Sequence, residues 1–392
     1  MAAEFPLCTI AYRIKPEPHM KRIFTIVLSF LSYAALAQNA GMDFEKYEPK
    51  SNLVVPEHKI TKAKFPFIDV HNHQFSMPTQ DVKALLKQMD ALNMRVMVNL
   101  SGRGFKSVNG QQGLQDPQYL ADAIANVKKT TPNRIIQFTN VSFIGVGEPG
   151  WAEKAVKELE NDVKAGANGL KVYKSLGFSF KDNAGKLLRI DDPRLDPVWA
   201  KCGELKIPVL IHSADPEPFW QPLDDKNERW LELATRPDRK RSNTDPAPWS
   251  DLIQQQHNII QRHPKTNFIA AHFGWYPNDL AKLGSLLDAM PNMYVEFGAV
   301  IAELGRQPRM AKAFFDKYQD RIIFGKDSWV PDEYFTYFRV LETTDEYFPY
   351  HKKYHAFWKM YGMGLSDEVL KKVYYKNALR IIPNIDKTLF PD

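Results

Sequence analysis

Eight short apolar or β-branched runs recur along the chain with amphipathic stretches between them, and that alternation limits the fold more than any other feature. The runs are FPFIDV (65–70), RVMVNL (95–100), RIIQFTNV (134–141), GLKVY (169–173), IPVLIH (207–212), NFIAAH (267–272), MYVEFG (293–298) and RIIFGKD (321–327). Between them, Val82, Leu85, Leu86, Met89 and Leu92 share one helical face behind an expected N-cap at Thr79. Val156, Leu159 and Val163 repeat the spacing in the fourth unit, and Leu280, Leu283, Leu286 and Leu287 in the seventh. Continuous hydrophobic strands alternating with amphipathic helices predict a parallel sheet covered on both faces. Eight such units predict an α/β fold closed as a (β/α)8 TIM barrel over residues 65–385. An open dinucleotide-binding sheet lacks support, because no Gly-x-Gly-x-x-Gly follows the first run.

The flanking segments read differently. From Met20 the chain runs MKRIFTIVLSFLSYAALAQ: two positive charges, an apolar stretch, then Ala35-Leu36-Ala37. This predicts a secretory signal peptide within residues 1–37, with Met20 as the true start and a periplasmic or secreted destination. A membrane anchor is the competing reading, but the apolar stretch is short for a span, so no stable anchor is expected after cleavage. Residues 38–64, polar with Pro49 and Pro56, read as an N-terminal arm, and residues 386–392 as a tail. Cys8 lies in the leader, so Cys202 stands alone in the mature chain and no internal disulfide can form. The net charge of +6 is modest, and RPDRKR (236–241) reads as a solvated face rather than a nucleic-acid surface. The expected partner is a small-molecule substrate, with no nucleic acid; a homodimer is compatible with the reading.

One connection exceeds the others. Residues 213–248, after the fifth run, carry several Pro and Asp with Trp220 and Trp230, and Trp249 follows at their end. A βα loop of this length is either a lid or a decoration pinned to the rim.

In a barrel of this kind, chemistry sits at the C-terminal ends of the strands. Those ends carry His71 and His73 from the first run, Lys171 in the fourth, His212 from the fifth, His272 from the sixth and Asp327 from the eighth. His71 and His73, at i and i+2 of an extended segment, point to the same side and can converge on one ion. Three imidazoles and one carboxylate suit zinc or a similar divalent ion with a position left for water. Such an ion lowers the pKa of its water to about 7, and a nearby carboxylate such as Asp327 can carry the proton.

The ordered set HNH, GLKVY, PVLIHS, AAHFGW and FGKDSW, with the helix YYKNALRII at the end, resembles the amidohydrolase superfamily, in particular the amidohydrolase-2 branch of single-metal hydrolases and aminocarboxymuconate-semialdehyde-type decarboxylases. The resemblance spans about Phe65 to Pro383. It implies that His71, His73 and His212 are metal ligands and that Asp327 is both ligand and proton shuttle. It also implies that His272 polarises the substrate or orients the attacking water, and that the cofactor is one divalent ion, zinc first, with manganese or iron as alternatives. A fourth-strand lysine bridges two metals in dinuclear members, whereas in the branch resembled here the lysine is usually not a ligand, so Lys171 is expected near the substrate. Lys326 departs from the small residue common before the aspartate; strand alternation should turn it away from Asp327. Arg103, Trp275 and Glu296 are further candidates for substrate contact, each with a packing or rim salt-bridge role as its alternative.

These residues fit an exported metal-dependent hydrolase acting on a lactone, ester or amide. The same ligands would serve non-oxidative decarboxylation of an unsaturated or aromatic acid. A silent binding protein that keeps the metal cage as a staple is the third reading, and the joint presence of Asp327 and His272 argues against it.

Overall fold

The computed structural model describes residues 46, 49–108 and 111–391. The expected signal peptide lies outside these residues. The chain divides into two units, Met1–Val54 and Val55–Asp392, and the second contains all that follows.

All eight runs are strands: β1 Phe67–Asn72, β2 Met94–Asn99, β3 Ile135–Gln137, β4 Leu170–Val172, β5 Val209–Ile211, β6 Phe268–Ala270, β7 Met293–Glu296 and β8 Ile322–Ile323. They pair in parallel as β1-β2-β3 and as β4-β5-β6-β7-β8. Backbone hydrogen bonds close the two seams. Val70 N donates to Phe324 O at 3.0 Å, and Thr139 N donates to Gly169 O at 2.8 Å. The result is a closed barrel of eight parallel strands with helices following them. These are α1 Val82–Leu92, α2 Pro117–Thr130, α3 Trp151–Ala165, α4 Asp196–Glu204, α5 Trp249–Arg262, α6 Leu280–Ala289, α7 Pro308–Tyr318 and α8 Tyr334–Glu342.

Local chemistry explains the ends of these elements. Asp81, not Thr79, caps α1 by accepting from Ala84 N, and the left-handed Asn93 ends it. Asp116 caps α2, where Pro117 takes the first turn at no cost in hydrogen bonds. Strand residues such as Val96, Val98, Leu210 and Ile269 are fully buried, as a sheet packed on both faces requires. The seam between β1 and β8 is filled by aromatic rings: Phe67 lies 4.8 Å from Phe324 and 5.4 Å from Phe338, centroid to centroid. The C-terminal helical segment Asp367–Ile381 packs here, and its π-turn at Lys372–Lys376 lets Val373 O accept from Phe324 N at 3.0 Å.

The C-terminal part of the expected arm is fixed to the barrel. His58 N donates to Asp345 at 2.7 Å, and Ala63 N to Leu92 O at 3.1 Å. Cys202 is fully buried in the core, consistent with a small apolar role. Among the described residues no helix is long and apolar enough to cross a membrane.

The register levels the strand ends. Val172, Ile211, Ala270, Val295 and Ile322 form one row across β4 to β8, so the residues beyond that row are presented together at one mouth. The backbone leaves this level under strain. Ala214, His272, Phe273, Trp275, Ala299 and Asp327 all have positive φ without being glycine. His272, Phe273 and Gly274 have left-handed helical angles in succession. Each such residue costs about 1–2 kcal/mol, and strain of this kind is retained where surrounding packing over-determines it, commonly at functional sites.

Residues 213–248 form one wall of the mouth. Trp220 Nε1 donates to Ala247 O at 2.8 Å, and Trp249 Nε1 to Asp215 O at 3.0 Å, so two tryptophans anchor the loop to itself and to α5.

Candidate active site

The mouth opens on a cavity of about 280 Å³ whose walls include His212, His272, Trp275 and Asp327. Asp215, Phe219 and Arg229 from the long loop complete it. Within the mouth, His71, His73 and Asp327 each offer a ligand atom, all within 4.8 Å of one another. Asp327 Oδ1 lies 3.3 Å from His71 Nε2 and 3.5 Å from His73 Nε2. Its backbone N donates to His71 O at 2.6 Å, which locks the β8 end against the β1 end.

Each of the four histidines spends one ring N–H on an oxygen. His71 Nδ1 donates to Glu296 Oε1 at 2.8 Å, and His73 Nδ1 to the Tyr173 hydroxyl at 3.1 Å, while that hydroxyl donates onward to Leu100 O at 2.9 Å. His212 Nε2 donates to Ala214 O at 3.1 Å, and His272 Nδ1 to Gly298 O at 2.6 Å. These partners assign the tautomers, and they leave a bare nitrogen on every ring turned inward. His212 Nδ1 and His272 Nε2 face each other at 3.4 Å, lone pair to lone pair. His71 Nε2 and His73 Nε2 face the Asp327 carboxylate in the same sense. Burial lowers the pKa of all four imidazoles, because it disfavours the charged ring. Converging lone pairs repel in a buried site, whereas a divalent cation satisfies them, and outer N–H groups held by carboxylate, hydroxyl and carbonyl oxygens are the usual support for metal-bound imidazoles. The donor set therefore fits a metal ion.

The structure brings His71, His73 and Asp327 into one group and leaves His212 outside it, beside His272. Burial works to raise the Asp327 carboxyl, but the neighbouring histidines, His71 foremost, hold it well below the usual range. Glu296 does not line the cavity. It is fully buried, accepts from His71 Nδ1 and from the backbone N of His272 at 2.9 Å and Gly298 at 2.6 Å, and orients the His71 ring. Burial opposes its ionisation, yet those partners bring its pKa down to about 2.

Lys171 Nζ lies 3.4 Å from His71 Nε2, and burial brings its pKa down to about 8 despite Asp327 and Glu296 nearby. Trp275 packs on His272 at 4.6 Å between centroids and lines the cavity. Arg103 stands apart from the cavity. Its guanidinium pairs with Glu158 at 2.9 Å and it is absent from the cavity wall, because the chain after β2 turns it toward α3. Lys326 bonds Ser328 O at 2.9 Å and also pairs with Glu333, so its ammonium is turned from the Asp327 carboxylate although its side chain borders the cavity. Tyr173 went unnoticed in the sequence. Its position two residues past Lys171, on the same face of an extended run, is the signal that could have found it.

The model of the Amidohydro_2 family, described as Amidohydrolase, matches residues 68–383, most of the chain. The chain belongs to the Amidohydro_2 family. As a member it is a metal-dependent enzyme, and the inward lone pairs are the local counterpart of that dependence. Among solved structures the Amidohydro_2 chain is similar in fold to a Staphylococcus aureus protein described as an amidohydrolase, at 16% identity over 81% of this chain and 99% of that one, with a TM-score of 0.50. It is similarly close to 2,6-dihydroxybenzoate decarboxylase in complex with 2,6-dihydroxybenzoate, at 15% identity over 81% and 99%, also with a TM-score of 0.50. No curated protein matches the chain in sequence.

Gly325 tests how tightly this Amidohydro_2 site is supported. A Cβ there would strike Glu296 Oε2 and lie 3.0 Å from His71 Cβ. Gly325→Ala is expected to weaken metal affinity about 10–100-fold, the usual cost of disturbing an outer partner, with little change in helical circular dichroism. Titration against a chelating dye measures it; unchanged affinity would mean that Glu296 does not set the His71 ring.

Proposed function

We propose that the protein is an exported, single-metal hydrolase that opens a lactone, ester or amide with water, using Asp327 as its proton shuttle. The observation that carries this reading is the dual placement of Asp327. Its Oδ1 is shared between His71 and His73, yet 36% of its side chain is exposed, whereas His71 is fully buried. It alone of that trio can both hold an ion and reach a bound substrate at the cavity.

His71, His73 and Asp327 would hold the ion, with His212 the fourth expected ligand through its inward Nδ1; zinc is the first expectation, with manganese or iron as alternatives. When bound, the ion supplies Lewis acidity, polarising a carbonyl and acidifying a water. Asp327 takes the proton from the water as its oxygen adds to the carbonyl carbon. It then delivers that proton to the leaving oxygen or nitrogen as the carbon–heteroatom bond breaks, returning to a carboxylate. His272 has committed Nδ1–H to Gly298 O, so the nitrogen facing the mouth accepts rather than donates. It therefore orients water and does not polarise a carbonyl. Lys171 stays an uncarboxylated amine beside His71. Export rests on the leader pattern in residues 20–38.

A substrate panel tests the reaction class. Lactones, aryl esters and amides are assayed beside aromatic and muconate-type acids, with released carbon dioxide measured in parallel. Hydrolysis without carbon dioxide is the expected result. Release of carbon dioxide from an acid, with no hydrolysis, would replace this reading with decarboxylation.

A further inference from the structure

The cavity has two cationic corners on opposite walls, and each is built in the same way. At the first, Asp215 is gripped by Arg241, with NH2 at 3.1 Å and Nε at 3.3 Å, and Lys174 sits on the other carboxylate oxygen at 2.5 Å. At the second, Glu333 is paired with Lys326, and Lys352 approaches the same oxygen at 3.0 Å. In both, the more buried cation already neutralises the carboxylate. The more accessible lysine is the surplus charge: Lys174 is 38% exposed against 19% for Arg241, and Lys352 34% against 1% for Lys326. Both surplus lysines line the cavity. Of the other charges on the wall, Arg229 and Arg239 are matched by Glu232 and Glu303, which leaves the Asp327 carboxylate.

The positions are as informative as the charges. Lys174 follows β4, and Lys326 follows β8. Strands four apart in a ring of eight stand across the barrel from each other. Lys352 comes from beyond the barrel repeats, in the excursion bounded by the antiparallel pair Phe348–Pro349 and Lys359–Met360. The Asp327 carboxylate faces the same cavity.

We propose that the cavity takes a small dianion, with Lys174 binding one carboxylate-like group and Lys352 the other, so that the reacting carbon is held between them at Asp327. Only the placing of the reacting carbon rests on the hydrolase reading; the two-cornered recognition stands without it. A monoanion would leave one surplus ammonium facing a partly desolvated wall, and charge-assisted hydrogen bonds of this type contribute enough to separate the two classes of ligand.

The test uses saturated acids, which carry no bond that the enzyme could open. Glutarate and adipate are compared with pentanoate and hexanoate by isothermal titration on the metal-loaded full chain. A diacid is expected to bind roughly tenfold or more tighter than the monoacid of equal length. Lys352→Met and Lys174→Met should each remove that preference, and Lys352→Arg should keep it. The two lysines lie on separate walls, so misfolding of one variant, seen as a lowered Tm, leaves the other to decide. Equal binding of both acids, no binding of either, or a preference that survives both Met variants overturns the proposal. Diacid preference with no hydrolysis on the panel would instead sink the reaction class alone, and hydrolysis of neutral lactones with no diacid preference would sink the dianion alone.

Discussion

Asp327→Asn is expected to lower kcat roughly 10³-fold while the melting temperature changes little. The amide keeps the shape and one oxygen, but it cannot take a proton from water and return it to a leaving group. Among the described residues its side chain pairs with the imidazoles of His71 and His73, and the bond from its backbone N to His71 O does not depend on the side chain. Little folding energy is therefore at stake. Initial rates on the best substrate, with circular dichroism melting, measure both halves of the expectation. Activity within about threefold of wild type would place the shuttle elsewhere. Unaltered ligand binding with no activity in either protein would favour a silent metal-stapled binding module.

The largest stability effect is expected at Arg229. Its side chain is 7% exposed, NH1 lies 3.1 Å from Glu232, and NH2 pairs with Glu303, carboxylates that are 4% and 6% exposed. Arg239 also holds Glu232, so removing Arg229 strands Glu303 above all, one of whose oxygens already has no hydrogen-bond partner. Arg229→Met should cost about 3–5 kcal/mol, because the residual buried charge is worse than the pair was good. Urea denaturation checks it. The double variant Arg229→Met with Glu303→Met should recover much of the loss, since both charges then leave together. A cost below about 1 kcal/mol for the single variant would show that the wall formed by residues 213–248 tolerates the unpaired acid.

The barrel was legible because parallel strands covered on both faces must be written as short unbroken apolar runs, and each of the eight runs is a strand. The cap of α1 was misplaced by two residues, since Thr79 and Asp81 are both competent caps and only the backbone decides which one reaches Ala84 N. At the site, the i, i+2 spacing of His71 and His73 was enough to bring their Nε2 atoms to one carboxylate. The role of Glu296 was not legible. The sequence shows a polar residue on β7, but its hold on His71 Nδ1 is a contact 225 residues away in the chain. The place of Arg103 is open in the sequence for a related reason: a guanidinium just past a strand end can turn into the mouth or back over the helices, and in the structure it pairs with Glu158 on α3. Lys352 could not have been placed at all, because the excursion that carries it lies outside the repeating units whose order fixes the mouth.

The central claim is that the inward nitrogens of this site exist to hold one divalent ion. Elemental analysis of the purified protein, beside a variant carrying His71→Ala and His73→Ala together, tests it most directly. One equivalent of metal per chain, lost in the double variant with the fold retained, is the predicted result. A metal-free wild-type protein that takes up none when zinc or manganese is supplied would contradict the account, and two equivalents would return Lys171 to the ligand set.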